Sequence, residues 1–305
     1  MRRKFFAIFF AAILCVASLA ATFFLTQSYS ENPIIAKSAK AEETVTEEQT
    51  TEAVTEEPTT EATTKSVNNN YVAGTSYAKA VPDMPIYDEE TDKFFENSVF
   101  YGDSLTVGFG RYCEALGEGF FCNPLFLAST SFSLKQAIGP VTDTTLHPTY
   151  GGEKLSPEDT IVKTGAEKVF LFLGMNDLVW TDPTTTLDEY NTLIFRIHNK
   201  SPEAKIYIIG ATYIYAPGQR FENGDTNANL RIFNDALYSY CENYDYLEFI
   251  NIGDRLIDST DGLKSEYTSD NYVHMTAEGY DVWIKVLRSY AKYFTAVEAA
   301  EASQL

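Results

Sequence analysis

Four short, almost uninterrupted apolar runs constrain this chain more than any other feature. They are Ser98–Tyr101, Lys168–Leu173, Lys205–Gly210 and Leu247–Ile252, and the first two stop at Gly102 and Gly174. Runs of this length, apolar on both sides, predict strands buried on both faces of a sheet. Helical spacing fills the intervals. A helix is predicted from about Ser104. Another covers Leu187–Asn199, with Leu187, Tyr190, Ile194 and Ile197 on one face and Ser201-Pro202 as its stop. A third covers Asn227–Tyr244, with Leu230, Phe233, Leu237 and Tyr240 aligned, and the last runs over Thr276–Phe294 with Thr276 as its cap. Strands alternating with helices predict an α/β domain with a mostly parallel sheet covered on both faces. Ligands of such folds sit beyond the carboxyl ends of the strands, so the chemistry is expected after Gly102, after Gly174 and in the loop before the last helix.

The N-terminal part of the 305-residue chain is of a different kind. Arg2, Arg3 and Lys4 precede an uncharged run of 21 residues, Phe5–Leu25, about the length that crosses a bilayer. With the cations kept inside, the remainder is expected outside the cell. Residues 1–27 are therefore a signal peptide or a retained anchor; Ser18-Leu19-Ala20 resembles a cleavage site, but Thr22–Leu25 continues the apolar run past it. Eight Glu and nine Thr lie between Ala41 and Ser66. Such a segment cannot bury enough apolar surface to offset its ordering entropy, so residues 28–85 are expected to be a disordered stalk. That leaves 86–305 as one domain, rich in Phe and Tyr. The formal net charge is −20 for the chain and −17 for this domain. An acidic surface repels a polyanion, so nucleic acid is not an expected partner; a neutral glycan or small ester is. No Cys/His spacing suggests a metal. Cys113 and Cys122 are near enough in sequence to pair, but a core of this size does not need a staple, and free or buried thiols are expected.

At the first strand end stands Gly102-Asp103-Ser104-Leu105. A serine at a strand-to-helix turn presents its hydroxyl at the sheet edge, where the helix N-terminus offers N–H groups to a developing oxyanion. Alone, Ser104 reads slightly better as a helix cap. The second strand ends in Gly174-Met175-Asn176-Asp177, where an Asn amide could serve as an oxyanion donor or a turn could simply be forming. Only three histidines are present, His147, His198 and His274. His274 is favoured as the base a serine nucleophile needs, because a loop near the C-terminus can return to the sheet edge.

In this order the three elements resemble the SGNH (GDSL-type) hydrolase family, over about residues 97–294: Phe100–Thr106 as the first block, Gly174–Asp177 as the third and the stretch ending in His274 as the last. The resemblance implies a flavodoxin-like three-layer sandwich and ester hydrolysis through an acyl-enzyme, with no metal or cofactor. Ser104 would be the nucleophile and His274 the general base and then acid; the Ser104 N–H and the Asn176 amide would hold the oxyanion. Two departures stand out. The family's second block supplies a Gly whose N–H joins the oxyanion hole, and the best match, Ala128-Ser129-Thr130-Ser131-Phe132, puts Phe132 there. The family's Asp lies three residues before its His, where this chain has Asn271; either the loop shifts so that Asp270 reaches His274, or the enzyme runs as a Ser-His dyad. The family also includes lipases, thioesterases and acyltransferases. A surface location on a stalk points to O-acetyl esters of polysaccharide. Phe109, Phe132 and Trp180 could contact a sugar or an acyl chain, though aromatic residues are more often core, and the loop His147–Gly152 could shape the pocket or be a structural turn. An O-acyltransferase using the same Ser104 and His274, and a non-catalytic surface-binding module, are the alternatives.

Overall fold

The computed structural model describes residues 84–221 and 224–303. The expected signal or anchor and nearly all of the expected stalk lie outside these residues. Among the described residues, no helix is long and apolar enough to cross a membrane.

Five parallel strands make the central sheet: β1 (Ser98–Gly102), β2 (Leu125–Ala128), β5 (Lys168–Phe172), β6 (Lys205–Ile209) and β7 (Leu247–Ile250), in the spatial order β2-β1-β5-β6-β7. The order reverses between β1 and β5, which opens the crevice at the carboxyl end of β1. A two-residue hairpin, β3 (Thr149–Tyr150) and β4 (Glu153–Lys154), lies apart from the sheet. Helices α2 (Ser104–Leu116) and α7 (Ala277–Ala302) cover one face. Helices α4 (Pro157–Thr164), α5 (Pro183–Lys200) and α6 (Asn227–Cys241) pack side by side on the other. Two short helices, α1 (Glu89–Asp92) and α3 (Leu134–Ala137), complete the α elements among the described residues.

Parallel register explains the core under α2 and α7. Phe126, Phe100, Phe170 and Tyr207 are register partners on four adjacent strands. Registered side chains leave a parallel sheet on the same face, so the rings stack, with centroids 5.2, 4.4 and 4.8 Å apart. Phe109 of α2 meets Phe100 edge-on, and Phe294 of α7 lies 5.3 Å from Tyr207. Stacked and edge-on aromatic pairs of this kind add roughly 0.5–1.5 kcal/mol each beyond their area burial.

The start of the described chain is bolted to the last helix. Arg288 of α7, fully buried, grips Asp92 through both carboxylate oxygens, at 2.7 and 2.8 Å. Its Nη1 donates to the carbonyls of Pro85 and Ile86, and its guanidinium lies 5.0 Å from the rings of both Phe120 and Phe121. Cys113 and Cys122 carry free thiols.

Several element boundaries differ from those expected. Helix α5 starts four residues before Leu187, because Asp182 caps it and Pro183 occupies its first turn. Helix α7 continues past Phe294 to Ala302. β2 and α4 had no counterpart in the apolar pattern. β2 is an edge strand of four residues, of which only Leu127 is buried, and it follows three consecutive left-handed residues, Phe121, Cys122 and Asn123.

Candidate active site

The carboxyl end of β1 runs straight into α2. Gly102 makes the turn possible: a Cβ there would lie 2.2 Å from Thr106 Oγ1 and 2.6 Å from the Phe172 carbonyl oxygen. The helix is capped by Asp103, whose carboxylate accepts the Leu105 N–H at 2.9 Å. Ser104 is thus the first helical residue and not the cap, and its hydroxyl is left for other partners.

Its partner is His274. Nε2 of His274 lies 3.0 Å from Ser104 Oγ, across 170 residues of sequence. On the other side of the ring, Nδ1 lies 2.5 Å from Asp270 Oδ2. The carboxylate comes from the residue four before the histidine, and the local backbone shows how. Asn271 adopts a left-handed conformation, φ +58°, which Asn tolerates better than most residues. That twist turns Asp270 back over the loop. Its Oδ1 then accepts from the N–H groups of Tyr272 (2.9 Å) and His274 (3.2 Å) and from the Thr268 hydroxyl (3.2 Å). Partial burial of the Asp270 carboxyl works against ionisation, but the hydrogen bonds from His274 and Tyr272 and the nearby imidazole outweigh it and hold the carboxyl below its usual range. Ser104, His274 and Asp270 therefore form one connected chain, and Asn271 serves as the hinge of the loop.

The third strand-end element arrives beside them. Gly174 follows β5 at φ +105° and packs against Phe233, 2.7 Å from where a Cβ would be; any side chain would be both strained and obstructed. Asn176 then donates from Nδ2 to the Phe132 carbonyl (3.0 Å) and to Asp103 Oδ2 (3.3 Å). Asp177 turns the other way and accepts the N–H groups of Leu134 and Lys135 at the start of α3, at 2.9 and 3.2 Å.

Phe132 requires a correction. Its N–H donates to the Ser129 carbonyl at 3.1 Å, so it is not a free oxyanion donor. The left-handed backbone position of this turn, the kind that favours a Gly, is Ser131 at φ +59°, one residue earlier than the alignment placed it. Phe132 instead supplies the carbonyl that holds Asn176 and a fully buried ring, packed 5.9 Å from Tyr101 and edge-on to His147. His147 is itself buried against that turn, its Nδ1 3.0 Å from Thr145 Oγ1, and Gly151-Gly152 form the turn between β3 and β4. His198 stacks on Tyr246 at 3.7 Å. Neither histidine is bonded to Ser104 in the structure. Phe109 is core as well, whereas Trp180 is 83 % exposed.

Asp103 was not singled out by its residue type, yet it lies at the centre of the network. It is almost fully buried, and desolvation pushes its pKa up to about 7, against the opposing pull of the Leu105 N–H and of His274. The site around it is open. The side chains of His274 and Asp270 are 45 % and 34 % exposed.

Comparison with known proteins places the chain in a family. Residues 100–282 match the GDSL-like lipase/acylhydrolase family. A GDSL-like lipase from Bacteroides thetaiotaomicron superposes with a TM-score of 0.50 at 14% identity, over 69% of this chain and 92% of its own; at that identity the likeness concerns the fold. A carbohydrate esterase of family 3 from Talaromyces cellulolyticus superposes with a TM-score of 0.45 at 11% identity (66% and 98% covered), and the lipase Lip_vut3 from a goat rumen metagenome with 0.44 at 17% (63% and 95%). No curated protein matches the sequence. The match from β1 into α7, spanning the strand ends before Ser104 and Asn176 and the loop that carries His274, means that this chain is an ester hydrolase belonging to the GDSL-like lipase/acylhydrolase family.

Proposed function

We propose that this chain hydrolyses O-acyl, above all O-acetyl, esters of carbohydrates outside the cell, through an acyl-enzyme on Ser104. The observation that carries the proposal is the relay Ser104 Oγ, 3.0 Å, His274 Nε2, and His274 Nδ1, 2.5 Å, Asp270 Oδ2 at the N-terminus of α2. His274 takes the Ser104 proton as Oγ attacks the ester carbonyl, and Asp270 stabilises the imidazolium that results. The oxyanion forms at the helix N-terminus, beside the Ser104 N–H. One Asn176 N–H leaves its longer bond, the 3.3 Å contact to Asp103, and turns to it. A donor of this kind contributes about 10²–10³ in rate. His274 then returns the proton to the departing alcohol, whose C–O bond breaks, and a water molecule repeats the sequence to release the acid and restore Ser104.

Two observations support a carbohydrate as the alcohol. The relay is open to solvent, which suits a polymer substrate. Trp180, 83 % exposed, follows Asn176 on the loop after β5, and Phe221, 73 % exposed, lies on the loop after β6. Exposed aromatic faces of this kind bind sugar rings at small entropic cost. The cations Arg2, Arg3 and Lys4 before a long apolar run support the location. The test is a series of 4-nitrophenyl acetate, butyrate and octanoate, then O-acetylated polysaccharide, with the full-length protein and Ser104→Ala. Ser104-dependent turnover that declines beyond acetate and extends to the polysaccharide is expected, with Trp180→Ala raising KM for the polysaccharide alone. Preference for octanoate would overturn the acetyl assignment. Acyl-sugar formed in place of free acid, when a sugar acceptor is added, would make the chain an O-acyltransferase.

A further inference from the structure

The relay that the proposed function rests on has a weak point. His274 and Asp270 belong to a single loop, Thr268–Met275, closed by a bridge between its ends and by the Ser269 N–H on the His274 carbonyl at 2.8 Å. A contact between residues four apart on a solvent-exposed loop holds its geometry only if something else holds the tip. Asn271 is in the left-handed region, a conformation that costs free energy and must be over-determined by its surroundings.

The segment between β6 and α6, described over residues 210–221 and 224–226, supplies that constraint. It touches the loop tip at four places. The Tyr215 N–H donates to the Tyr272 carbonyl at 2.8 Å. The Tyr272 hydroxyl donates to the Asp225 carboxylate. The Arg220 guanidinium lies 4.4 Å from the centre of the Tyr272 ring. Gly218 fits so closely that a Cβ on it would be 2.6 Å from the Asn271 carbonyl oxygen. The segment is itself fixed to α6. Asn227 pairs with Ile214 in both directions, at 2.7 and 2.9 Å, and Asn234 does the same with Ala211, at 2.8 Å twice. Asp225 is 5 % exposed, and its carbonyl accepts the Arg220 N–H at 3.0 Å. The acceptor for Tyr272 is therefore buried and tied to the segment's own backbone.

We infer that Tyr272, seated between Arg220 and Asp225, is a positioning residue that holds Asn271 in its left-handed turn and thereby keeps Asp270 on His274 Nδ1. Tyr272 and its two partners take no part in the chemistry; they transmit the rigidity of α6 to the base. The latch replaces what a shorter Asp-His spacing would obtain from the backbone itself. It rests on His274 being the base and Asp270 its partner.

The test uses the full-length protein labelled with 15N-histidine, which contains only three imidazoles. In the wild type, His274 is expected to show a low-field, exchange-protected Nδ1–H resonance that Asp270→Ala abolishes. Tyr272→Phe and Asp225→Ala should each weaken or broaden it and lower kcat by about 10- to 100-fold, the effect of a small misplacement, with KM unchanged. Asp225→Asn keeps an acceptor for the tyrosine hydroxyl and should retain both. In the Asp270→Ala background Tyr272→Phe should cost no more, because the two act in series. A Tyr272→Phe protein with an intact resonance and kcat within about twofold of wild type overturns the latch, as does a full additional loss on top of Asp270→Ala. Melting curves separate both from general unfolding. Should Tyr272→Phe remove the resonance while no form shows Ser104-dependent turnover, the latch stands and the functional proposal fails.

Discussion

Replacing Asp270 by Ala asks how much a carboxylate contributes when it is only partly buried. On the proposed mechanism, an imidazolium forms as Ser104 attacks, and the charges of His274 and Asp270 then face each other across 2.5 Å. With side chains 45 % and 34 % exposed, the effective dielectric constant lies well above that of a protein interior. Taking it as about 40–80, Coulomb's law gives roughly 2–3 kcal/mol of stabilisation. That translates into a loss of about 30- to 160-fold in kcat/KM. A fully buried aspartate of a serine protease contributes about 10⁴, so the openness of this site predicts a weaker dependence. The assay is kcat/KM on 4-nitrophenyl acetate for Asp270→Ala, Asp270→Asn and Asn271→Ala. Asp270→Asn should recover part of the loss, because an amide oxygen can still orient Nδ1–H without supplying charge. Asn271→Ala should act through the turn alone. Activity of Asp270→Ala within threefold of wild type would refute the reasoning and leave a Ser-His dyad. A loss approaching that of the buried case would show that substrate closes over the pair and that the dielectric constant used here is too high.

Three further outcomes follow from the packing and the charges. Arg288→Met leaves Asp92 buried without its partner, which costs about 3–5 kcal/mol and should lower Tm by roughly 10 °C, while Ser104-dependent activity of the protein that remains folded is unchanged. Phe170→Ala removes the middle of the aromatic ladder and should cost about 3–5 kcal/mol in denaturant unfolding. Asp103 has its pKa raised in the folded state to about 7, so the folded form holds a proton more tightly than the unfolded chain does. Stability must therefore fall as pH rises from about 4 to about 7, by an amount on the order of a few kcal/mol. Asp103→Asn should remove that decline, which melting curves across pH 4–8 would reveal as wild-type and variant Tm values that converge at the acid end and separate at pH 8.

How the sequence encodes this molecule depends on the range of each interaction. Strands buried on both faces announce themselves as apolar runs: β5, β6 and β7 lie within the stretches that the pattern marks, and β1 runs one residue past its own, to Gly102. The edge strand β2 does not: it has one neighbour, and its four residues, Leu125-Phe126-Leu127-Ala128, are too few for a period. Helix α4 was legible in principle, since Ser156 caps it, Pro157 opens it and Gly165 closes it at φ +66°, but eight residues give the hydrophobic pattern little to repeat. The site divides along the same line. Ser104, Asn176 and His274 sit at strand and helix ends that local signals locate. The choice between Asp270 and Asn271 could not be made from type and spacing, because it turns on one left-handed residue and on a tyrosine held by Arg220 and Asp225 about 50 residues away. Phe132 shows the converse error. Counting residues aligned it with a glycine, whereas the backbone placed the unusual φ on Ser131 and tied up the Phe132 N–H. Asp103 is the clearest case of information that exists only in three dimensions. As a residue type it is an ordinary helix cap; what makes it titrate near neutrality is the closure of β1, α2 and the Asn176 loop around it. The groups that tune this site are thus those whose environment is assembled last, and the groups proposed to perform the chemistry are those that the chain marks earliest.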